Sequence, residues 1–262
     1  MNLAVDYYQP NDRIVKIFLK VNSLNSHLNK TEHEWLLYAP ELPVTSQWFE
    51  PSYWRNQDKI IGESRGRNIT WFVGEKTEPM VLRHYYRGGL IGKLVNDQYW
   101  FNGIKNTRAY KEYELLIELE KRQLPACRVV SARINKSGLT YRADLLMKMV
   151  DGGQDLVALL TQQELSDEVW QEIGKTIAIF HKQYIYHADL NAHNILMNND
   201  NKVWLIDFDR GEIKENQGQW CQDNLNRLLR SFNKELAQLP VFNFTLDNWK
   251  TLIEAYQQAL TN

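Results

Sequence analysis

The sequence predicts an α+β protein of two lobes, in which an antiparallel sheet with one main helix precedes a compact, mainly helical lobe. Short segments rich in β-branched and aromatic residues dominate the first part of the chain. Apolar residues at helical spacing dominate the second part. The turn Asp151-Gly152-Gly153 separates the two patterns. We therefore place the sheet lobe at residues 1–150 and the helical lobe at residues 151–262.

Composition narrows the class of protein. The 262 residues carry 31 basic and 32 acidic side chains, and this near balance does not indicate a nucleic-acid partner. The first ten residues lack a basic head followed by an apolar run, and no apolar stretch is long enough to cross a bilayer, so we expect neither a signal peptide nor a membrane span. Cys127 and Cys221 stand in no metal-ligand spacing, which favours reduced thiols in the cytosol.

The sheet lobe begins with a stretch, residues 1–55, whose pattern indicates no clear element. Its aromatic clusters, among them Trp48-Phe49 and Tyr53-Trp54, are expected to pack inside the protein. An antiparallel meander follows, because three short strand-like segments are separated by turn residues. Its first strand ends near Ile61, its second spans residues 68–73 and its third spans residues 79–85.

The remaining elements follow from capping residues and periodicity. Thr107 is a suitable N-cap for a helix that begins at Arg108 and ends near Gln123, before Pro125. Two strands are expected at residues 128–135 and 140–149. In the helical lobe a helix is predicted over residues 167–182, and apolar residues recur at helical spacing over residues 225–239 and 249–260.

The loop that begins at His187 carries the strongest candidates for catalytic and metal-binding residues. Asp189 and Asn194 lie between a predicted helix and a predicted hairpin, whose second strand, residues 203–208, delivers Asp207. Kinase-like phosphoryl transfer needs one carboxylate to orient and deprotonate a hydroxyl, and an Asn with a second carboxylate to hold Mg²⁺ on a nucleotide. We therefore assign Asp189 as the catalytic base and Asn194 and Asp207 as metal ligands. His187 is expected to buttress the loop.

Glycines in the meander predict how ATP is covered. Gly62 and Gly66 are expected to join two strands rather than to open a helix, which favours a flap over the nucleotide and argues against a Walker-type phosphate loop. Glycine at these positions lets backbone N–H groups approach the phosphates. The adenine ring is expected to reach backbone groups near residues 148–150.

A kinase also needs a cation on the third strand of the meander, held by an acid on the following helix. The strand offers Arg83, whose planar fork suits phosphate oxygens. Glu112 is the preferred partner because it falls in the second turn of the helix, and Glu114 is the alternative. Lys93 is the second candidate for the cation.

Four segments together resemble one family, the lipopolysaccharide-core kinases that act on 3-deoxy-D-manno-octulosonic acid (Kdo) or heptose. These segments are residues 81–89, 108–114, 187–194 and 206–211. The resemblance implies an ATP-dependent, Mg²⁺-requiring kinase that phosphorylates the 4-hydroxyl of a Kdo residue on a lipid A precursor. It also implies peripheral association with the cytoplasmic face of a bacterial inner membrane. The catalytic and metal-binding positions of the family match those assigned above.

Differences from the protein-kinase sequence pattern indicate which class of acceptor molecule the chain uses. Asn191 stands where many protein kinases carry Lys, and Phe208-Asp209 replaces Phe-Gly. The short remainder of the chain leaves no room for a peptide-docking lobe, which favours a small or carbohydrate acceptor. Two alternatives remain open, another kinase-like phosphotransferase and a catalytically inactive nucleotide-binding scaffold. Mixed aromatic and basic stretches at residues 53–55 and 84–87 are candidates for lipid contact, and the sequence does not indicate an oligomeric state.

Overall fold

The computed structural model describes residues 27–31, 33–39, 42–65, 69–87 and 97–261. Within these residues the α+β composition is confirmed. The helices are α1 (Pro51–Arg55), α2 (Arg108–Lys121), α3 (Leu156–Gln162), α4 (Asp167–Lys182), α5 (Gln219–Gln238) and α6 (Leu246–Thr261). The strands are β1 (His27–Lys30), β2 (Glu34–Tyr38), β3 (Ile60–Arg65), β4 (Ile69–Glu75), β5 (Glu78–His84), β6 (Tyr99–Trp100), β7 (Val129–Ser137), β8 (Thr140–Lys148), β9 (Gln154–Asp155), β10 (Ile185–Tyr186), β11 (Ile195–Met197), β12 (Val203–Leu205) and β13 (Glu212–Ile213).

The main sheet is antiparallel, with strand order β1-β2-β7-β8-β5-β4-β3 and with β6 paired to β8. The predicted meander is therefore confirmed as β3, β4 and β5. Its first strand was placed wrongly, because β3 begins at Ile60 and continues past Gly62 to Arg65. Ladder pairing with β4, through a register shift between Ile60 and Gly62, overrides the turn preference of the glycine.

Alternation along the strands places apolar side chains on both faces of this sheet. On one face, Leu146 packs in a cluster with Phe49 and Trp54, so the early aromatic residues are buried as expected. On the other face, Leu145 joins the large core that includes α2 and the helices of the second part of the chain. Both faces of the central strand β8 are thus covered, and β8 pairs directly with β5, the strand that carries Arg83.

The helices follow the sequence signals closely. Thr107 caps α2 as predicted, and its Oγ1 accepts a hydrogen bond from the N–H of Tyr110 at 3.4 Å. The helix α4 has the predicted bounds and packs against α6. In the described part of the chain, none of the helices is both long enough and apolar enough to cross a membrane.

The close approach of α4 to α6 depends on Gly174. A Cβ atom at this position would lie 2.2 Å from the carbonyl oxygen of Leu252. We expect Gly174→Ala to lower the free energy of unfolding by about 2 kcal/mol or more, although Ala in a helix is normally favoured over Gly by about 1 kcal/mol. Urea denaturation measures the effect.

The control is Gly62→Ala, since the nearest atom to its new Cβ is a Phe72 ring carbon at 3.4 Å, an ordinary contact. This variant should remain within about 0.5 kcal/mol of wild type. Equal stability of Gly174→Ala and wild type would contradict the packing argument.

Candidate active site

A buried histidine holds the catalytic loop. His187 lies between β10 and β11, and its Nε2 donates to the carbonyl oxygen of Ile206 at 2.8 Å. Its Nδ1 accepts from the N–H of Asp189 at 3.1 Å. Because a carbonyl only accepts and an amide only donates, these bonds select the neutral Nε2–H tautomer. Burial lowers the pKa of His187 and favours the same neutral form. The predicted buttressing role is therefore confirmed.

Two further bonds close a ring around the loop. The side-chain amide of Asn194 donates to the carbonyl oxygen of Asp189 at 2.9 Å, and the N–H of Ile206 donates to the carbonyl oxygen of Asn194 at 3.0 Å. Together with the two bonds of His187, they connect four residues in a closed circuit, which we call the loop ring (His187, Asp189, Asn194, Ile206). Since Asp207 follows Ile206 directly, the ring brings the three assigned residues Asp189, Asn194 and Asp207 together.

The two assigned metal ligands have donor atoms that fit Mg²⁺. The amide nitrogen of Asn194 is engaged by Asp189, so its oxygen is the end that remains for a ligand. Carboxylate and amide oxygens are hard donors, and Mg²⁺ normally completes its shell with water and phosphate oxygens. In the described part of the chain, no group of three or more His, Cys, Asp or Glu residues forms a metal cage. A pair of oxygen ligands beside a nucleotide remains compatible with Mg²⁺.

A second row of polar residues supports the loop from behind. On α5, Asn224 donates through its side-chain nitrogen to the His187 carbonyl at 2.8 Å. Its side-chain oxygen lies 3.3 Å from Nε2 of His181, which must therefore donate. The Nδ1 of His181 then accepts from the hydroxyl of Tyr256 at 2.8 Å. Burial lowers the pKa of His181 to about 4, so this histidine is also neutral.

The other half of the site centres on Arg83 of β5. Its Nη2 donates to Oε2 of Glu112 on α2 at 2.5 Å, and its Nη1 donates to the carboxylate of Asp207. The hydroxyl of Tyr85 donates to the same Glu112 oxygen at 2.5 Å, and the guanidinium lies 4.9 Å from the centre of the Tyr85 ring. The structure thus places Arg83 and Glu112 in contact with each other, while Glu114 is exposed.

Burial and charge act in opposite directions on these groups. Burial raises the pKa of the Glu112 carboxyl, and the Arg83 charge opposes that shift only in part. Burial also works against the ionised form of Asp207, but the charge and hydrogen bond of Arg83 outweigh it and hold the pKa of Asp207 below its usual value. Asp207 is therefore ionised, as a metal ligand must be.

Two arginines at the site were not predicted from the sequence. Arg227 of α5 donates to Oδ1 of Asp189 through Nε at 2.8 Å and Nη2 at 2.5 Å. Arg108, the first residue of α2, donates to Asp209 through Nε at 2.8 Å and also through Nη2. No fixed spacing connects either pair along the chain, so only the folded structure reveals them.

The assigned glycines are not all part of this cluster. Gly62 lies within β3 and pairs with Phe72 of β4, which in turn pairs with Val81 of β5. The glycine is therefore two strands away from β5. It lies level with Val81 and not with Arg83, which is two residues further along that strand. Gly66 and Lys93 fall outside the described residues. The structure therefore does not bring Gly62 into contact with the catalytic groups.

Two of the backbone N–H groups expected near the adenine are already hydrogen-bonded within the protein. The N–H of Lys148 donates to the carbonyl of Arg128 at 2.8 Å, and the N–H of Met149 donates to the carbonyl of Pro79 at 2.9 Å. Both donors are thus engaged within the sheet region. Of the N–H groups at residues 148–150, that of Val150 is the one that remains for the base.

The neutral His181 generates a testable pH dependence. The unfolded chain takes up a proton on this residue below pH 6.5, whereas the folded protein resists it until about pH 4. The contribution of neutral His181 to the free energy of unfolding is therefore complete above pH 6.5. As the pH falls from 6.5 to about 4, up to about 3 kcal/mol of this contribution is lost. We expect the stability advantage of wild type over His181→Gln, whose amide does not titrate, to shrink by about that amount between pH 7 and pH 4. Urea denaturation at several pH values measures it, and parallel curves would contradict the assignment.

Comparison with known proteins identifies the family of this chain. The model of the lipopolysaccharide kinase (Kdo/WaaP) family matches residues 51–256. A protein of Photobacterium profundum, named 3-deoxy-D-manno-octulosonic acid kinase, is 46% identical over 209 residues, covering 80% of this chain and 88% of that protein. A protein of the same name from Mannheimia succiniciproducens is 44% identical, covering 82% of this chain and 92% of its own length.

The family match extends over more than half of the chain and contains Arg83, Glu112, the loop ring and Asp207. The relatives are well above 30% identity along most of the length of both proteins. This chain belongs to the lipopolysaccharide kinase (Kdo/WaaP) family.

Proposed function

We propose that this chain is a phosphotransferase that moves the γ-phosphoryl group of ATP to the 4-hydroxyl of a Kdo residue on a lipid A precursor. The observation that carries the proposal is the meeting of Asp189, Asn194 and Asp207 at one place in a chain of the lipopolysaccharide kinase family. The relatives named as 3-deoxy-D-manno-octulosonic acid kinases support the choice of sugar.

The nucleotide would lie between two lobes, the sheet lobe at residues 1–150 and the helical lobe at residues 151–262. The position of Arg83 supports this arrangement, because it extends from β5 to Asp207, which follows β12. Its permanent charge suits the α- and β-phosphates, and Glu112 holds it in place. The paired strands β3 and β4, which contain Gly62, would form the flap that covers the phosphates.

Asp189 would accept the proton of the acceptor hydroxyl while that oxygen attacks the γ-phosphorus in line and ADP leaves. The loop ring holds the backbone of Asp189 on both sides, which limits the positions that its carboxylate can take. Asn194 and Asp207 would hold Mg²⁺, which neutralises phosphate charge when it is bound. The ionised state of Asp207 and the free oxygen end of Asn194 support this assignment.

A kinase that acts on a lipid-linked sugar must work at a bilayer surface, so we propose peripheral association with the cytoplasmic face of the inner membrane. The stretches expected to meet lipid do not carry this proposal, because Trp54 and Tyr85 are buried in the core. A different surface suits it better. Trp100 is 66% exposed and Leu139 is 67% exposed, and they lie together where β6 meets the β7–β8 hairpin.

This surface, which we call the Trp100 edge (Trp100, Lys136, Leu139), has the character of an interfacial contact. Aromatic and aliphatic side chains enter the headgroup region, while lysines favour anionic lipids. Next to Trp100, the hydroxyl of Tyr99 accepts a hydrogen bond from Arg108 at 2.6 Å, and Arg108 holds Asp209 beside the site. Contact with lipid at this edge would therefore lie close to the acceptor side of the site.

Replacing Asp189 tests the chemistry. Asp189→Ala should lower phosphate transfer by about 100-fold to 10,000-fold, because the general base is lost, while ATP binding remains within a few-fold of wild type. The assay follows labelled phosphate from ATP to a Kdo-bearing lipid A precursor, and product analysis locates the modified oxygen.

Asp200→Ala is the matched control, since Asp200 lies in the exposed turn between β11 and β12, and it should turn over normally. Normal turnover by Asp189→Ala would refute the role of Asp189. Transfer by wild type to a small alcohol or a protein but not to the Kdo lipid would favour the other kinase-like phosphotransferases. ATP binding without transfer to any acceptor would favour the inactive scaffold.

Removing the apolar side chains of the Trp100 edge tests the membrane proposal. The double variant Trp100→Ala, Leu139→Ala should bind vesicles that contain anionic lipid about tenfold less tightly or worse, because two large side chains no longer leave water. Co-sedimentation measures binding. Leu246→Ala removes a similarly exposed leucine from α6 and should bind like wild type. Equal binding by the double variant and wild type would overturn this choice of surface.

A further inference from the structure

The catalytic carboxylate is held by an arginine from another part of the chain. Arg227 projects from α5, and its Nε and Nη2 both donate to one oxygen of Asp189, Oδ1. These two nitrogens form one edge of the planar guanidinium group. The second edge, formed by Nη1 and Nη2, points in another direction and has the fork geometry that binds a carboxylate through two parallel hydrogen bonds.

Structural stability does not account for this pair. The Asp189 side chain is 47% exposed and that of Arg227 is 46% exposed. An ion pair at this level of exposure contributes at most about 1 kcal/mol to folding, because water screens both charges and two side chains lose freedom. A cation that water and solutes reach beside a catalytic base is instead well placed to meet a substrate.

Neighbouring residues continue the positive charge along the same face of α5. Arg230 and Lys234 are exposed, and they follow Arg227 by three and seven residues, a spacing that places all three on one side of the helix. The Nζ of Lys234 also pairs with Glu235 at 3.1 Å, so Arg230 carries the larger part of this charge. On that side, the Oγ of Ser231 accepts a hydrogen bond from the N–H of Ala192 in the catalytic loop at 3.1 Å. The basic face is therefore fastened against the loop that carries Asp189.

The catalytic loop itself supplies no cation two residues after its carboxylate. Asn191 occupies this position, and its side-chain amide donates to the carbonyl of Asp189 at 3.0 Å. A positive charge beside the base thus comes from the helix α5 and not from the loop.

We propose that Arg227 binds the carboxylate of the acceptor sugar acid through its Nη1–Nη2 edge while its other edge holds Asp189. This inference rests on the proposed function, since the relatives that support it are named for an octulosonic acid, which carries a carboxylate. One planar group then connects the anionic end of the acceptor to the base, and the acceptor hydroxyl is oriented relative to Asp189. Arg227 is a specificity-determining residue in this arrangement, and Arg230 and Lys234 extend the positive surface.

The test pairs a change in the protein with a change in the acceptor. Wild type and Arg227→Ala are assayed with the Kdo-bearing lipid A precursor and with its carboxyl methyl ester. We expect the ester to lower kcat/KM of wild type by about 10-fold to 100-fold, the range for a charged hydrogen-bonded pair. Arg227→Ala should show the same loss on the acid, mainly as a higher KM for the acceptor, and little further loss on the ester. Its KM for ATP should not change.

Arg142→Ala is the matched control. Arg142 lies on β8, is exposed to a similar extent as Arg227, and pairs with a different carboxylate, since its Nε donates to Asp97 at 2.6 Å. It should discriminate acid from ester as wild type does. Arg227→Lys should recover part of the discrimination.

Three outcomes would overturn the inference. An equal fall in kcat on acid and ester would make Arg227 a positioning residue for Asp189 only. Faster transfer by Arg227→Ala would mean that the arginine blocks the base. If Arg227→Ala and the methyl ester each lowered kcat/KM by the same factor whether or not the other was present, the carboxylate would bind elsewhere. If wild type transfers no phosphate to the acid, the proposed function itself fails, and this result differs from all three.

Discussion

The neutrality of His187 is the constraint on which the rest of the site depends. Only the neutral Nε2–H form can donate to Ile206 and accept from Asp189 at the same time. These bonds close the ring that holds Asp189, Asn194 and the start of Asp207 in one place. Because the ring uses backbone groups, the imidazole of His187 and only the nitrogen of the Asn194 side chain, the carboxylates of Asp189 and Asp207 and the amide oxygen of Asn194 lie outside it. The ring thus holds the backbone of these residues without using the oxygen atoms of their side chains.

The positive charge of Arg83 organises the other half of the site. Arg83 is stabilised in the folded protein by Glu112 and Asp207, and the fully buried carboxylate of Glu112 would be costly to bury without it. The arrangement also sets the state of the site before any ligand arrives. Asp207 is ionised and paired, so a metal ion would replace an existing partner and would not have to displace a proton. Glu112 is the better buried of the two, and its Oε2 holds Nη2 of Arg83.

Sequence reasoning was most accurate where the signal is local. Thr107 capped its helix, α4 began and ended as predicted, and the β11–β12 hairpin followed the catalytic loop. It failed where partners on other strands decide the conformation. Gly62 was expected in a connection between strands, but its ladder pairing with β4 keeps it within β3. The preference of a glycine for a turn is weak in free energy. A row of backbone hydrogen bonds to a neighbouring strand stabilises the strand conformation more than that preference opposes it.

The sequence alone determined that Asp189, Asn194 and Asp207 meet, because they lie within twenty residues and short connections keep them close together. It also predicted the partner of Arg83, since Glu112 falls in the second turn of the helix that follows. Only the tertiary structure decided that Arg227 meets Asp189, that His181 and Tyr256 support the loop, and that Trp100 faces solvent. Those contacts join elements far apart along the chain, and their geometry follows from how whole helices and sheets pack, which no local spacing encodes.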